Sequence, residues 1–152
     1  MAERIILVDD DSPFELNLEV GYIYRFSSAK INSPQEHRFI LCLHEDDGDA
    51  YFVCCTSQEA TVNRLIRRNK YCESTFPYFS PDDENQFTKD TWVNCNEIQV
   101  HSTYELEEKL DANNFSRQGK ISLDHFEQIK TAMINSETIE DIIPISMRHP
   151  DA

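Results

Sequence analysis

Arg38 opens one apolar run, Phe39 to Leu43, and Thr56-Ser57 close the next, Tyr51 to Cys55. A guanidinium is a planar fork that matches two oxygens of an anion, and a hydroxyl beside it adds a further donor. Such a pair suits a phosphodiester. The alternative is an arginine paired with an acidic loop and a hydroxyl that caps a turn. His37 and His44 bracket the first run. Only histidine among these side chains titrates near neutrality, so either could assist proton transfer. In a regular strand, however, His37 points away from the face that carries Arg38.

A second feature lies just beyond Ser57 in the chain. Four of the 14 Lys and Arg residues, Arg64, Arg67, Arg68 and Lys70, fall within seven positions. They are candidates for contact with a nucleic-acid backbone, with Tyr71, Phe76, Tyr78 and Phe79 available to stack on bases. A solvated charge run that balances an acidic body is the alternative. A third feature is Arg4 to Val8 followed by Asp9-Asp10-Asp11. Carboxylates at a strand's carboxyl end can hold Mg²⁺ for phosphoryl chemistry. Pro13 interrupts the next stretch and the chain lacks a βα repeat, so a solvated acidic turn is the simpler reading.

These residues need elements to position them. Gly48, between the two apolar runs, signals a hairpin, which would bring Arg38 and Thr56 to the same end of a sheet. Both runs are apolar on both faces and read as central strands. Gly21 precedes the alternating Tyr22 to Phe26, a further strand, and Trp92 to Cys95 with Ile98 to Val100 gives another, bent near Asn96. Ser102 and Glu105 have capping-box spacing ahead of a helix over about Thr103 to Leu110. Gly119-Lys120 reads as a turn before a helix capped by Ser122, with Leu123, Phe126, Ile129 and Met133 on one face. The segment from Gln58 to Asp90 is poor in strand signal and reads as a long loop, functional or mobile. Strands followed by helices, with no crossover between the early strands, predict an α+β fold with an antiparallel sheet.

The 152 residues fit one domain, with 39% apolar and 28% charged residues. A net charge of -14 opposes broad attraction to nucleic acid or an anionic membrane and leaves the basic cluster as one local anion site. The absence of a leader-like segment or long apolar span predicts a cytoplasmic, non-membrane protein. Cys42, Cys54, Cys55, Cys72 and Cys95 contain no CxxC pair and read as small hydrophobes, not as metal ligands.

In order, Gly21-Tyr22-Ile23-Tyr24, Arg38 to Leu43, Tyr51 to Ser57, Thr91 to Cys95 with Ile98, and Gly119-Lys120-Ile121-Ser122 resemble the MazF/PemK family of toxin endoribonucleases. Phe39 stands where that family has Pro, and Tyr22 where it has an acidic residue. The resemblance implies a small antiparallel SH3-like β-barrel with C-terminal helices over residues 20–136, an N-terminal extension over 1–19 and a tail over 137–152. It implies metal-independent cleavage of single-stranded RNA by 2′-hydroxyl attack, no cofactor, a homodimer and an antitoxin-like partner. Arg38 and Thr56 match the family's catalytic positions, with Ser57 and His37 assisting and Arg64, Arg67, Arg68 and Lys70 on the RNA backbone. A non-catalytic barrel serving as a binding or regulatory module is the rival reading.

Overall fold

The computed structural model describes residues 16–28, 35–45 and 48–136. The acidic turn after Val8 and the tail from residue 137 lie outside them. The elements are β1 (Tyr22–Phe26), β2 (His37–His44), β3 (Asp49–Thr56), α1 (Glu59–Asn69), a 3-10 turn (Glu73–Thr75), β4 (Tyr78–Phe79), β5 (Thr91–Ser102), α2 (Thr103–Asp111), β6 (Ser116–Lys120) and α3 (Leu123–Asn135). The strands form one sheet in the order β4-β5-β3-β2-β1-β6, with every neighbouring pair antiparallel. The fold is α+β, a curled half-barrel sheet with three helices among the described residues, as expected in class.

Gly48 works as a hairpin glycine beside Glu45, whose carbonyl accepts from the Gly48 amide at 2.9 Å, and it sets β2 against β3. The sheet's two edge strands are drawn together behind it. The Lys120 amide on β6 donates to Glu84 O at 2.9 Å, in the segment after β4. A Cβ at Gly119 would lie 2.6 Å from Glu84 O and 2.7 Å from Asn85 O. Gly119 is therefore a close-approach glycine inside β6, and the expected turn at Gly119-Lys120 is a strand.

Strand alternation sorts the core into two faces. Ile23, Ile40, Cys42, Val53, Cys55, Val93 and Cys95 gather under Ile129, Ala132 and Met133 of α3. Tyr24, Phe26, Phe39, Leu41 and Phe52 gather under Leu106 of α2, with Leu16 and Leu18 packed on them. Burying side chains of this size stabilises the fold by about 1.5–3 kcal/mol each before chain entropy is counted. Both helix caps are formed, since Ser102 Oγ accepts from the Glu105 amide at 3.1 Å and Ser122 Oγ from the His125 amide at 3.3 Å. Leu123 departs from the expected apolar face: it is 85% exposed, because the first residue of α3 projects past the core that Ile129 and Met133 fill.

The segment expected as one long loop contains α1, so helices do not come only late in the chain. Val62 of α1 is buried and Leu65 and Ile66 are half-buried. Arg is a good helix former, so the basic run extends the helix. Lys70 ends it in the left-handed region at φ 59°.

Candidate functional site

A cleft of about 900 Å³ opens where β2 begins and β3 ends, with α1 along one wall. Two rows of paired residues cross the sheet there. Phe39 pairs with Cys54, so continuing the register sets Arg38 opposite Cys55 and His37 opposite Thr56. On the other side Arg38 pairs with Arg25, and on β5 Thr56 pairs with Trp92, which pairs with Tyr78. Adjacent rows face opposite sides of a strand. The sheet thus puts His37 beside Thr56, and Arg38 beside Arg25 and Cys55. Arg38 and Thr56 stand one step out of register, and both border the cleft with His37 and Ser57.

Arg38 and Arg25 are like charges side by side, yet their surroundings differ. Arg25 Nε lies 3.2 Å from Glu36 Oε1, which offsets its charge. Arg38 has no such carboxylate among the described residues. Its Nε is buried and makes no hydrogen bond among them. An unsatisfied buried donor is costly, so a guanidinium held this way on a cleft wall is prepared for an anion. The Thr56 hydroxyl accepts from the Gln58 amide at 3.2 Å, the turn-capping role foreseen as the alternative, and keeps its own proton to donate.

Burial lowers the pKa of His37, so its imidazole is neutral at pH 7. His37 lies on the Phe39 side of β2, with ring centroids 6.5 Å apart, and its Nε2 is buried without a partner among the described residues. His44 is removed from the site: it ends β2, seven residues on and roughly 24 Å away at strand rise, with Nε2 3.5 Å from Thr103 Oγ1.

The basic cluster divides. Thr61, Arg64 and Leu65 of α1 line the cleft, whereas Arg67, Arg68 and Lys70 do not. Arg67 and Arg68 stand three and four residues beyond Arg64, so they continue its side of the helix by one turn. Of the four aromatic candidates only Tyr78 is exposed. Phe76 and Phe79 are core residues, and Tyr71 donates to Glu97 Oε2 at 3.1 Å. Trp92, expected only as a strand residue, meets Tyr78 at a centroid distance of 5.3 Å.

Also unforeseen were two amides of the cleft floor, Asn94 and Gln99, each 8% exposed. Their sequence signals were polar residues inside an apolar strand and, for Gln99, a place where the resembled family often has a basic residue. All five cysteines are free thiols; Cys42, Cys55 and Cys95 are buried, and burial first, then Glu97, pushes the Cys54 thiol to about 12. Among the described residues no helix is long and apolar enough to cross a membrane, and no cluster of three or more His, Cys, Asp or Glu could hold a metal ion.

No protein-family model and no curated protein matches the chain. Among solved structures it is similar to a chain described as an endoribonuclease in complex with its cognate antitoxin from a mycobacterial species. The two share 16% identity and a TM-score of 0.53, over 84% of this chain and all of the other. At that identity the likeness is one of fold.

Proposed function

We propose that this protein is an endoribonuclease that cuts single-stranded RNA without a metal ion, the toxin of a toxin-antitoxin pair. The observation that carries the proposal is Arg38: a guanidinium with a buried, unpartnered Nε on the wall of an open cleft that Thr56, Ser57 and Arg64 also border. In the proposed reaction the RNA 2′-hydroxyl attacks the adjacent phosphorus. The O2′–P bond forms as the P–O5′ bond breaks, which leaves a 2′,3′-cyclic phosphate and a 5′-hydroxyl. Arg38 holds the phosphate and stabilises the charge that grows on its oxygens. The Thr56 or Ser57 hydroxyl donates a hydrogen bond to that charge and keeps its proton. Neutral His37, opposite Thr56, is the candidate acceptor of the 2′-hydroxyl proton, and the departing O5′ takes a proton from solvent. Arg64 meets the neighbouring phosphate, and Arg67, Arg68 and Lys70 extend the positive surface outward from the cleft.

The fold neighbour is described in complex with its cognate antitoxin. By that analogy we infer an antitoxin-like partner protein, and the family resemblance and the sequence reading add a homodimer and action in the cytoplasm to the proposal. The test is incubation of purified protein with mixed single-stranded RNA, with and without EDTA. Cleavage that survives EDTA and stops when the nucleotide 5′ to the cut carries 2′-deoxyribose supports the mechanism. RNA bound but left intact would favour the rival, a barrel of this fold that only binds.

A further inference from the structure

We infer that Asn94 and Gln99 read one base of the RNA, selecting a keto base over an amino base. The inference rests on the ribonuclease reading above and goes on to name the base chemistry that the cleft discriminates.

The geometry starts with an irregularity in β5. Val53 pairs with Ile98 but the next residue, Cys54, pairs with Asn94, so Cys95, Asn96 and Glu97 bulge from the ladder. Asn94 and Gln99, five residues apart in sequence, consequently sit opposite Cys54 and Phe52, which are two apart on β3. Two residues of strand span about 7 Å, and both amides face the side that Thr56 faces. Without the bulge, an odd spacing of five would send them to opposite faces. Asn96 holds the bulge in place, with Nδ2 2.7 Å from Thr75 Oγ1 and Oδ1 2.9 Å from Ser136 Oγ.

Each amide is oriented by an internal donor. Asn94 Oδ1 accepts from the Asn96 backbone amide at 3.0 Å and from Asn96 Nδ2 at 3.3 Å. Gln99 Oε1 accepts from Ser28 Oγ at 3.3 Å. Both acceptor sites of Asn94 Oδ1 and one of Gln99 Oε1 are taken, so the cleft floor presents chiefly its two NH₂ groups, and those are donors only. A base edge carrying carbonyl oxygens satisfies them, as uracil O4 or guanine O6 does. The exocyclic amino group of cytosine or adenine sets donor against donor. A site built to hydrogen-bond a carbonyl rejects the analogue that lacks it, because its buried donors are left unpaired.

The test uses two single-stranded oligoribonucleotides, oligo-U and oligo-C, 2′-O-methylated so that neither can be cut. They have equal length and charge and differ at O4 against N4. Fluorescence anisotropy should show wild type binding oligo-U about ten-fold more tightly, the size of one discriminating base contact. In the double variant Asn94→Asp, Gln99→Glu, the oxygens that accept from Asn96 and Ser28 are kept and only the NH₂ donors are lost. Both affinities should fall with the added charge, while the preference for U is lost and turns toward C, whose N4 amino group a carboxylate accepts. Its Tm, measured in parallel, should fall by the cost of two carboxylates at sites 8% exposed, and binding is compared below that Tm. Equal binding of both oligomers by wild type, or a ratio that survives in a folded double variant, overturns base reading and leaves the nuclease standing. Failure to bind either oligomer, with no cleavage of unmodified RNA, overturns both.

Discussion

Replacing Arg38 separates a clamp from a structural ion pair, because the two roles predict opposite signatures. The side chain makes no hydrogen bond or ion pair to a described group, and its Nε is already buried and unsatisfied. Arg38→Ala therefore removes a costly orphan donor along with some packing, and should cost about 1 kcal/mol or less in stability. For a domain of this length that is a Tm change of about 2–4 °C. In the transition state, by contrast, the loss of a donor to the developing charge costs about 2.7–4 kcal/mol, or roughly 10² to 10³ in rate. Arg38→Lys keeps the charge and loses the fork, so it should fall between wild type and alanine. The assay is single-turnover cleavage of a doubly labelled single-stranded RNA at saturating protein, which excludes weakened binding from the rate, with thermal melts alongside. Equal rates for wild type and Arg38→Ala, or a melt lowered far beyond about 4 °C, would refute the reasoning and make Arg38 a fold residue.

Three other outcomes are expected. Converting Arg64, Arg67 and Arg68 together to Gln should flatten the log–log salt dependence of single-stranded RNA binding by about two units, at about 0.7 per phosphate contact, with single-turnover rates at saturation nearly unchanged. A brief pulse of iodoacetamide at pH 8 on native protein should modify Cys72 alone, as read by peptide mass spectrometry. Cys72 is exposed, whereas burial raises the pKa of the other four thiols. His37 has a folded pKa below its ordinary 6.5, so the unfolded chain binds the extra proton first as pH falls. Stability from this residue is complete above about pH 6.5 and is lost on acidification through the lower folded value. Thermal melts from pH 7.5 to 5 should show a steeper acid decline in wild type than in His37→Gln.

The features legible in the sequence were those fixed by neighbours along the chain. Gly48 between two apolar runs gave the hairpin, Ser102 and Ser122 gave their helix starts, and the break near Asn96 gave the bend of β5. α1 was missed because Gln58 makes no side-chain cap, and because the charges of Arg64, Arg67 and Arg68 hid the stripe of Val62, Leu65 and Ile66. β6 was missed because Gly119 has a turn residue's identity and a packing residue's job. Its reason for being glycine is the backbone at Glu84 and Asn85, far back along the chain. Similarly, Asn94 and Gln99 share a face only through a three-residue bulge, and nothing in the local pattern announces its length.

Charge decides how such a cleft can hold a polyanion at all. The chain carries -14, so its distant field repels RNA, and long-range steering cannot supply the affinity. Locally the cleft is only mildly positive. Arg25, Arg38 and Arg64 line it against Glu36 and Glu97, and Arg25 is already paired with Glu36. Screening at physiological salt limits the body's repulsion to about 8 Å, which leaves short-range contacts to set the balance. The contacts available are Arg38, the Arg64 side of α1, two oriented amides and the Tyr78–Trp92 pair at the end of the Thr56 row. The amides and the aromatic pair are neutral and the arginines are not. Neutral donors and stacking add a base-dependent share to the salt-dependent share of the arginines, so under the proposed nuclease reading selectivity falls to the cleft floor.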